Sequence, residues 1–159
     1  MYIIEMDQLE ESQLKSFFNH YWHDDCMVVS SGVYHLSKLP GLLCVVEEEI
    51  YGALTYTVRN SVIEIISINN VKGIKGVGSK LLKALELKAQ ESSVKEIQVI
   101  TTNDNLRALG FFQKYGYELE KIMKNVVNDA RRIKPTIPLV GDHLIPIKHE
   151  ILLIKAIKS

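Results

Sequence analysis

Residues 62–70 read VIEIISINN, residues 71–78 read VKGIKGVG, and residues 79–91 read SKLLKALELKAQE. The first segment predicts a buried strand, and the last has the apolar spacing of an amphipathic helix. Between them, Gly73, Gly76 and Gly78 let the backbone bring several N–H groups towards one ligand. The following helix adds its unpaired first-turn N–H groups and the positive end of its dipole. The stretch therefore predicts a phosphate-binding site.

The order of the glycines weakens two familiar interpretations of this turn. A dinucleotide-binding fingerprint needs G-x-G-x-x-G, with an acidic ribose partner about 20 residues later, whereas the order here is G-x-x-G-x-G. A nucleoside-triphosphate loop needs G-x-x-x-x-G-K-S/T, but Gly73–Lys80 reads GIKGVGSK, with its last two residues in the wrong order. Neither nucleotide site is favoured.

The turn resembles the acyl-CoA pyrophosphate motif Q/R-x-x-G-x-G/A of the GCN5-related N-acetyltransferases, the GNAT superfamily. Gly73 stands where that family has Gln or Arg, so one side-chain contact is lost, and Lys72 and Lys75 are available to supply positive charge. A second family motif, N-x-x-A-x-x-F/Y-Y-x-K-x-G-F, resembles NLRALGFFQKYGYE at 105–118. The matching residues are Asn105, Ala108, Phe111, Lys114 and Gly116, with Phe112 in place of Tyr and Tyr117 in place of the final Phe.

The fold class that the resemblance implies is α/β (α+β), a single GNAT-like domain over residues 1–159. It would contain a twisted mixed sheet with helices on both faces and splayed central parallel strands. Hydrophobic periodicity and turn residues predict matching elements along the chain. The predicted strands are Tyr2–Glu5, Leu42–Glu47, Ile50–Val58, Val62–Ile68, Lys95–Thr102, Leu119–Lys124 and Ile151–Ile157. The predicted helices are Gln8–Tyr21 (capped by Asp7), Ser79–Glu91 and a third that runs to Tyr115, with Asn103, Asp104 and Asn105 as candidate N-caps.

Two segments lack a regular pattern. His23–Gly41 mixes short apolar runs with turn residues and predicts an irregular segment with at most one short helix. Pro135, Pro138 and Pro146 argue against a long regular element before the last strand, because proline removes a backbone donor.

The composition argues against several classes of function. The 159 residues are 47% hydrophobic and 24% charged with a formal net charge of zero, which is ordinary for a globular protein and unlike a basic nucleic-acid-binding domain. No apolar run approaches 18 residues, and the N-terminus lacks the pattern of a signal peptide, so no membrane contact is expected. Cys26 and Cys44 have no CxxC spacing and predict free thiols in a reducing, cytoplasmic setting.

The resemblance implies an acyltransferase that moves an acetyl group from acetyl-CoA, its cosubstrate, to a primary amine in a ternary complex. The backbone of Ile66 and Ile68 would pair with the pantetheine amides, and an N–H there would polarise the thioester carbonyl. Glu64, on the same strand, would serve as general base. The cofactor-binding residues implied are Ile66, Ile68, Gly73, Ile74, Lys75, Gly76, Val77, Gly78, Ser79, Asn105 and Phe112.

One departure from the family leaves an alternative open. Phe112 stands where the family's usual general acid is a tyrosine, and Tyr115 would replace it only if the helix were rotated. The alternative is therefore a catalytically weak or inactive acyl-CoA-binding module, and a third hypothesis is a phosphate-binding protein unrelated to CoA. The amine acceptor stays open and includes polyamines, amino acids, antibiotics and protein termini.

Other polar groups have ordinary explanations. His20, His23 and the adjacent Asp24, Asp25 and Cys26 lie at a predicted helix end, where capping is favoured over metal binding, and no metal is expected. Arg131, Arg132 and Lys134 predict a solvated surface, or else recognition of an acidic acceptor or of the CoA 3′-phosphate.

The last strand, Ile151–Ile157, offers an edge for pairing in a homodimer. Trp22, Tyr34, His35 and Tyr56 are candidates for lining an acceptor pocket, with simple packing favoured for each.

Overall fold

The computed structural model describes residues 1–158, which form nine strands and four α-helices. The strands are β1 (Tyr2–Glu5), β2 (Cys26–Val29), β3 (Gly32–His35), β4 (Gly41–Val46), β5 (Glu49–Arg59), β6 (Val62–Asn70), β7 (Glu96–Thr102), β8 (Glu118–Met123) and β9 (Glu150–Ala156). The helices are α1 (Glu11–Trp22), α2 (Val77–Gln90), α3 (Leu106–Lys114) and α4 (Val127–Ile133). No described helix is long and apolar enough to cross a membrane.

Seven strands form one mixed sheet in the order β1-β4-β5-β6-β7-β9-β8, and β2 and β3 form a separate two-stranded sheet. Two-residue turns join β4 to β5 and β5 to β6. Their central residues, Glu47 and Glu48 in one turn and Asn60 and Ser61 in the other, all have positive φ. Such turns match the twist of paired strands, so they fix the register of this antiparallel meander.

The chain forms two compact units. The first contains Met1–Met27, Tyr34–Ile97 and residues 157–158. Within it, Ala53 of β5 belongs to a core cluster with Leu14 and Phe18 of α1. The neighbouring Gly52 faces Val77 and Leu81 of α2. Because successive residues of a strand point to opposite faces, α1 and α2 cover opposite faces of the sheet, as expected from the sequence.

The second unit contains Val28–Val33 and Gln98–Ala156. It includes the antiparallel pair β8 and β9 together with α3 and α4. Its long segment between α4 and β9 has no strand or helix among the described residues, in agreement with the proline content, although Val140 and Pro146 form an isolated bridge.

The first helix and the segment that follows it differ from the sequence expectation. α1 begins at Glu11 and not at Gln8, because a 3-10 turn occupies Met6–Gln8. Glu10 and not Asp7 is the cap, and it forms a reciprocal capping box with Gln13. His23–Gly41 was expected to be irregular, but it contains the strands β2 and β3 and a 3-10 turn at Leu36–Lys38.

In the C-terminal part, one short helix was not predicted and one expectation is wrong. The helix α4 lies at Val127–Ile133, where the sequence predicted no element. The last strand, β9, lies between β7 and β8 in the sheet, so both of its edges are used and it offers none for pairing with a second copy.

We predict that Gly52→Ala destabilises the fold. A Cβ at this position would collide with the side chain of Val77 and lie 2.7 Å from the carbonyl oxygen of Asn69. Overpacking of this kind costs about 1–3 kcal/mol, which a urea unfolding curve measures directly. Gly110→Ala is the matched control, because nothing lies within 4 Å of its added Cβ. Equal unfolding midpoints for the two variants would contradict the prediction.

Candidate active site

The glycine turn of the first unit has the geometry expected for anion binding. Gly73 has φ 67° and Gly76 has φ 94°, both in the left-handed region that favours glycine, whereas Gly78 lies within α2. Asn70 fixes the turn from the end of β6, since its Nδ2 donates to the carbonyl of Ile74 at 2.6 Å. The turn is exposed and leads directly into a helix of 14 residues.

The N-terminus of α2 is open to a ligand. Its cap is Gly76, which has no side chain to accept from the first-turn N–H groups. The Ser79 hydroxyl donates to the Gly76 carbonyl at 3.1 Å and so leaves these N–H groups free. Among the described residues, the N–H groups of Gly78 and Ser79 take part in no turn or cap hydrogen bond. These donors and the helix dipole together suit a phosphate group.

The charged side chains of the turn are exposed. Lys75 lies between the two left-handed glycines, and Ile74 beside it is also exposed. Lys72 pairs with Glu49 across 3.7 Å, but exposed pairs of this kind are weak and can be exchanged for a ligand. Both lysines are therefore available to add positive charge near the turn.

Strand β6 carries a β-bulge at Ile66. Thr55 of β5 is opposite Ser67, while the next residue, Tyr56, is opposite Ile65. Ile66 therefore has no partner residue on β5. A bulge leaves its extra residue unpaired on that edge and bends the strand. The hydroxyls of Thr55 and Ser67 are 2.6 Å apart beside the bulge and fix the register there. The resemblance had assigned a backbone role to Ile66, and the bulge occurs at that residue.

Glu64 lies two residues before the bulge and is 8% exposed. It is opposite Thr57 in the ladder, with the buried Ile63 and Ile65 on either side. The structure thus brings Glu64, Ile66 and Ile68 onto one strand that runs into the glycine turn.

Asn105 and Phe112 lie on α3, in the second unit. The Asn105 Oδ1 accepts from the Ala108 N–H at 3.1 Å, so its side chain caps the helix as predicted. Phe112 is 1% exposed and packs against Tyr117 with ring centroids 5.3 Å apart. Tyr115 lies against Phe111 at 5.1 Å. Phe112 is therefore a core residue of this unit.

The basic cluster is not a free anion site. The Arg131 guanidinium donates to the carbonyls of Pro138 and Ile147, each at 2.6 Å, and so holds the irregular segment before β9. Arg132 pairs with Asp129 at 3.1 Å on the surface. These two Arg131 donors are used within the protein and cannot also hold a phosphate or an acidic acceptor.

The histidines near α1 form no metal centre in the described residues, where no group of three metal-ligating side chains occurs. Asp25 is instead buried, accepting from the Ser37 hydroxyl at 2.5 Å and lying 3.4 Å from His35 Nδ1. His23 ends α1 with φ 63°. Of the candidate pocket residues, Tyr56 is in the core, and burial raises its pKa.

The sequence does not reveal one buried carboxylate, that of Glu150. Glu150 begins β9 and is 2% exposed, yet its sequence context, EILLIKA, shows only an acid before an apolar strand. Its Oε1 accepts from the Ser30 N–H at 3.0 Å, and Ser30 is 120 residues away in the chain. No local pattern reveals such a contact.

Comparison with known proteins identifies the family of this chain. The family model described as "Acetyltransferase (GNAT) family" matches residues 3–117, and the chain belongs to this family. It is 40% identical to the uncharacterized protein YxbD of Bacillus subtilis (strain 168), over 99% of this chain and 100% of that protein.

Two solved structures show the same fold. A GNAT family acetyltransferase from Elizabethkingia anophelis, with acetyl-CoA bound, is 23% identical, with a TM-score of 0.66 over 89% of this chain and 82% of that one. A Bacillus subtilis acetyltransferase in complex with CoA is 16% identical, with a TM-score of 0.70 over 98% of each chain.

We predict that Asp25 makes stability depend on pH in the acid range. Burial raises the pKa of this carboxyl, but the hydrogen bonds from Ser37 and His35, together with the positive charges of His35 and Lys15, hold the pKa below its ordinary value of 3.8. The stability that Asp25 contributes to the folded state is therefore present above about pH 4. It is lost as the pH falls through the lower pKa of the folded protein.

Urea unfolding from about pH 3 to about pH 7 tests this, since Asp25→Asn should lower stability most at the upper end of that range. The exposed Asp142→Asn is the control. If the difference in unfolding free energy between wild type and Asp25→Asn did not shrink on acidification, Asp25 would not be the source of the pH dependence.

Proposed function

We propose that this protein transfers an acetyl group from acetyl-CoA directly to a primary amine within a ternary complex. The observation that carries the proposal is the combination, on one continuous stretch, of a bulge at Ile66 and an open helix N-terminus after Gly76. A bulged strand that runs into an anion-binding turn can hold the two ends of one long acyl-CoA arm. Family membership supports the acyl donor.

The glycine turn binds the pyrophosphate. Backbone N–H groups from Gly78 and Ser79 are available at the uncapped first turn, and the Val77 N–H makes only a long bond of 3.5 Å to the Ile74 carbonyl. Gly73 and Gly76 let the preceding backbone curve around the phosphates. Ile74 and Lys75 complete the turn, with Lys75 adding positive charge. Asn105 caps α3, and Phe112 has no hydroxyl with which to donate a proton.

The reacting end of acetyl-CoA lies at the bulge. The backbone of Ile66 and Ile68 pairs with the pantetheine amides, and the N–H freed at Ile66 donates to the thioester carbonyl oxygen. Negative charge develops on that oxygen when the amine attacks. A preorganised donor at such a position commonly lowers the barrier by about 3 kcal/mol.

Glu64 removes the proton that the attacking amine must lose. The nitrogen forms a bond to the carbonyl carbon, the carbon–sulfur bond then breaks, and the CoA thiolate leaves. The amine proton passes to Glu64, directly or through a water. Because Phe112 has no hydroxyl, the thiolate takes its proton from water.

Phe112 also favours a second candidate, an acyl-CoA-binding module with weak or no catalysis. Its side chain carries no ionisable proton, so no general acid acts from this position of α3. Both candidates bind acetyl-CoA, and only the first releases free thiol when an amine is present.

We predict that Gly76→Ala weakens acetyl-CoA binding about tenfold, because a residue with a Cβ pays about 1–2 kcal/mol to keep the left-handed conformation. Calorimetric titration with acetyl-CoA measures the change, with ATP and NAD as control ligands. Nothing lies within 4 Å of the added Cβ, so the effect reports backbone conformation and not a clash. Gly110→Ala should bind like wild type; no binding of acetyl-CoA by wild type would end the proposal.

We predict that Glu64→Gln lowers the rate of amine-dependent thiol release about a hundredfold while acetyl-CoA affinity is kept. The loss should be greatest at lower pH, since rising pH supplies more neutral amine without a base. The exposed Glu91→Gln, at the end of α2, is the matched control. A pH–rate profile identical to that of wild type would remove Glu64 from the mechanism.

A further inference from the structure

Residues 139–147 form a turn that projects from the second unit. The Ile147 N–H donates to the Leu139 carbonyl at 2.9 Å. Val140 forms an isolated bridge with Pro146, so the chain folds back on itself. Leu139 and Val140 are both exposed, although successive residues of an extended chain point to opposite sides. Solvent therefore reaches both sides of this segment, which we call the projecting turn.

The projecting turn displays large apolar side chains. Leu144 is 85% exposed and Leu139 is 73% exposed, and Val140 lies exposed between them in the sequence. Leu144 also has φ 60°, in the left-handed region that a leucine rarely adopts. Apolar side chains that are concentrated on one short, exposed turn point to an interaction surface.

The projecting turn is fixed at its base by two side chains of the same unit. The Arg131 guanidinium donates to the carbonyls of Pro138 and Ile147. The Asn103 Nδ2 donates to the Pro146 carbonyl at 3.0 Å. Because both arms of the turn are held in this way, its shape does not depend on a binding partner.

The backbone of the projecting turn is suited to an apolar medium. The Gly141 N–H donates to the Ile145 carbonyl at 2.9 Å, and the Leu144 N–H donates to the Gly141 carbonyl at 3.1 Å. Pro146 has no N–H, and that of Ile147 is bonded within the turn as well. Donors that are satisfied internally do not need water when a segment enters a lipid interface.

The chain around the projecting turn is positively charged. Residues 124–149, which connect β8 to β9, include five basic and two acidic residues, a net charge of +3 in a chain whose net charge is zero. The acceptors of Arg131 are neutral, so its hydrogen bonds leave its positive charge in place. Of the two acids, Asp129 pairs with Arg132 and Asp142 lies in the turn itself. The basic residues are Lys124, Arg131, Arg132, Lys134 and Lys148.

We propose that the projecting turn docks this protein on an anionic lipid surface. Leu139 and Leu144 enter the boundary between headgroups and acyl chains, and the basic residues of the connection face the lipid phosphates. The sequence predicts no membrane contact because its apolar runs are short. Peripheral docking needs no such run, since a few apolar side chains on a folded, positively charged surface are sufficient.

Two other occupants fit this surface less well. In a two-fold contact with a second copy, the same positively charged surface would face itself. Hot spots of protein–protein interfaces are rich in Trp, Tyr and Arg, and residues 139–147 contain none of these. Aliphatic side chains surrounded by positive charge are complementary to anionic lipid.

The test is co-sedimentation of the full chain with lipid vesicles. We expect binding to phosphatidylcholine vesicles that contain about 30% phosphatidylglycerol, and little binding to phosphatidylcholine alone, because anionic lipid attracts basic residues. Raising the salt concentration from about 0.1 M to about 1 M should weaken the binding, because the Debye length falls from about 10 Å to about 3 Å.

Substitutions in the projecting turn separate the apolar contribution from the electrostatic one. Leu139→Ser and Leu144→Ser should each weaken vesicle binding about tenfold or more, with the urea unfolding midpoint of wild type kept. Leu87→Ser, which changes an exposed leucine of α2, is the matched control and should bind like wild type. Asp142→Asn should tighten binding about fivefold, because it removes a negative charge from the turn.

Three results would overturn the inference. The first is no binding of wild type to either kind of vesicle. The second is vesicle binding that Leu139→Ser and Leu144→Ser leave unchanged, or that Leu87→Ser weakens equally. The third is self-association of wild type that Leu144→Ser abolishes, without vesicle binding, which would assign the turn to contact between copies. Vesicle binding is measured without acetyl-CoA, so its outcome is independent of the proposed acetyl transfer.

Discussion

The close contact between β5 and α2 is the constraint on which the first unit depends. Gly52 has no side chain, and Val77, at the first position of α2, fills the space that a Cβ would occupy. Val77 is fully buried, so the helix starts against the sheet and its N-terminus cannot move independently. The glycine turn before it is therefore short, with two glycines in the left-handed region, and the first-turn N–H groups have a fixed direction.

This constraint connects two features that would otherwise be separate. The bulge at Ile66 interrupts the ladder between β5 and β6, while the same pair of strands continues to Gly52 opposite Asn70. Asn70 then fixes the turn through the carbonyl of Ile74. One antiparallel pair thus sets both the interruption of the strand and the position of the helix. In the proposed mechanism, these are the two ends of the acyl-CoA site.

The sequence predicts this part well because its signals are local. Apolar runs, two-residue turns and glycines with positive φ each depend on neighbouring residues, and the strands around Val62–Asn70 agree with expectation. Contacts between distant residues are not visible in that way. The carbonyl-binding role of Arg131, the pairing of Glu150 with Ser30 and the short strands β2 and β3 depend on which segments meet after folding. The short runs CMVV and GVYH are too brief to distinguish a hairpin from a loop.

Arg131 has a consequence for the irregular segment before β9. Its guanidinium holds this segment through the carbonyl oxygens of Pro138 and Ile147, which every amino acid possesses. The path of the backbone is therefore largely independent of the side chains that it displays. Residues such as Leu139 and Leu144, which are highly exposed, can be exchanged without loss of the anchor. The segment is a natural position at which a library of substitutions would alter the surface of the protein while its framework stays intact.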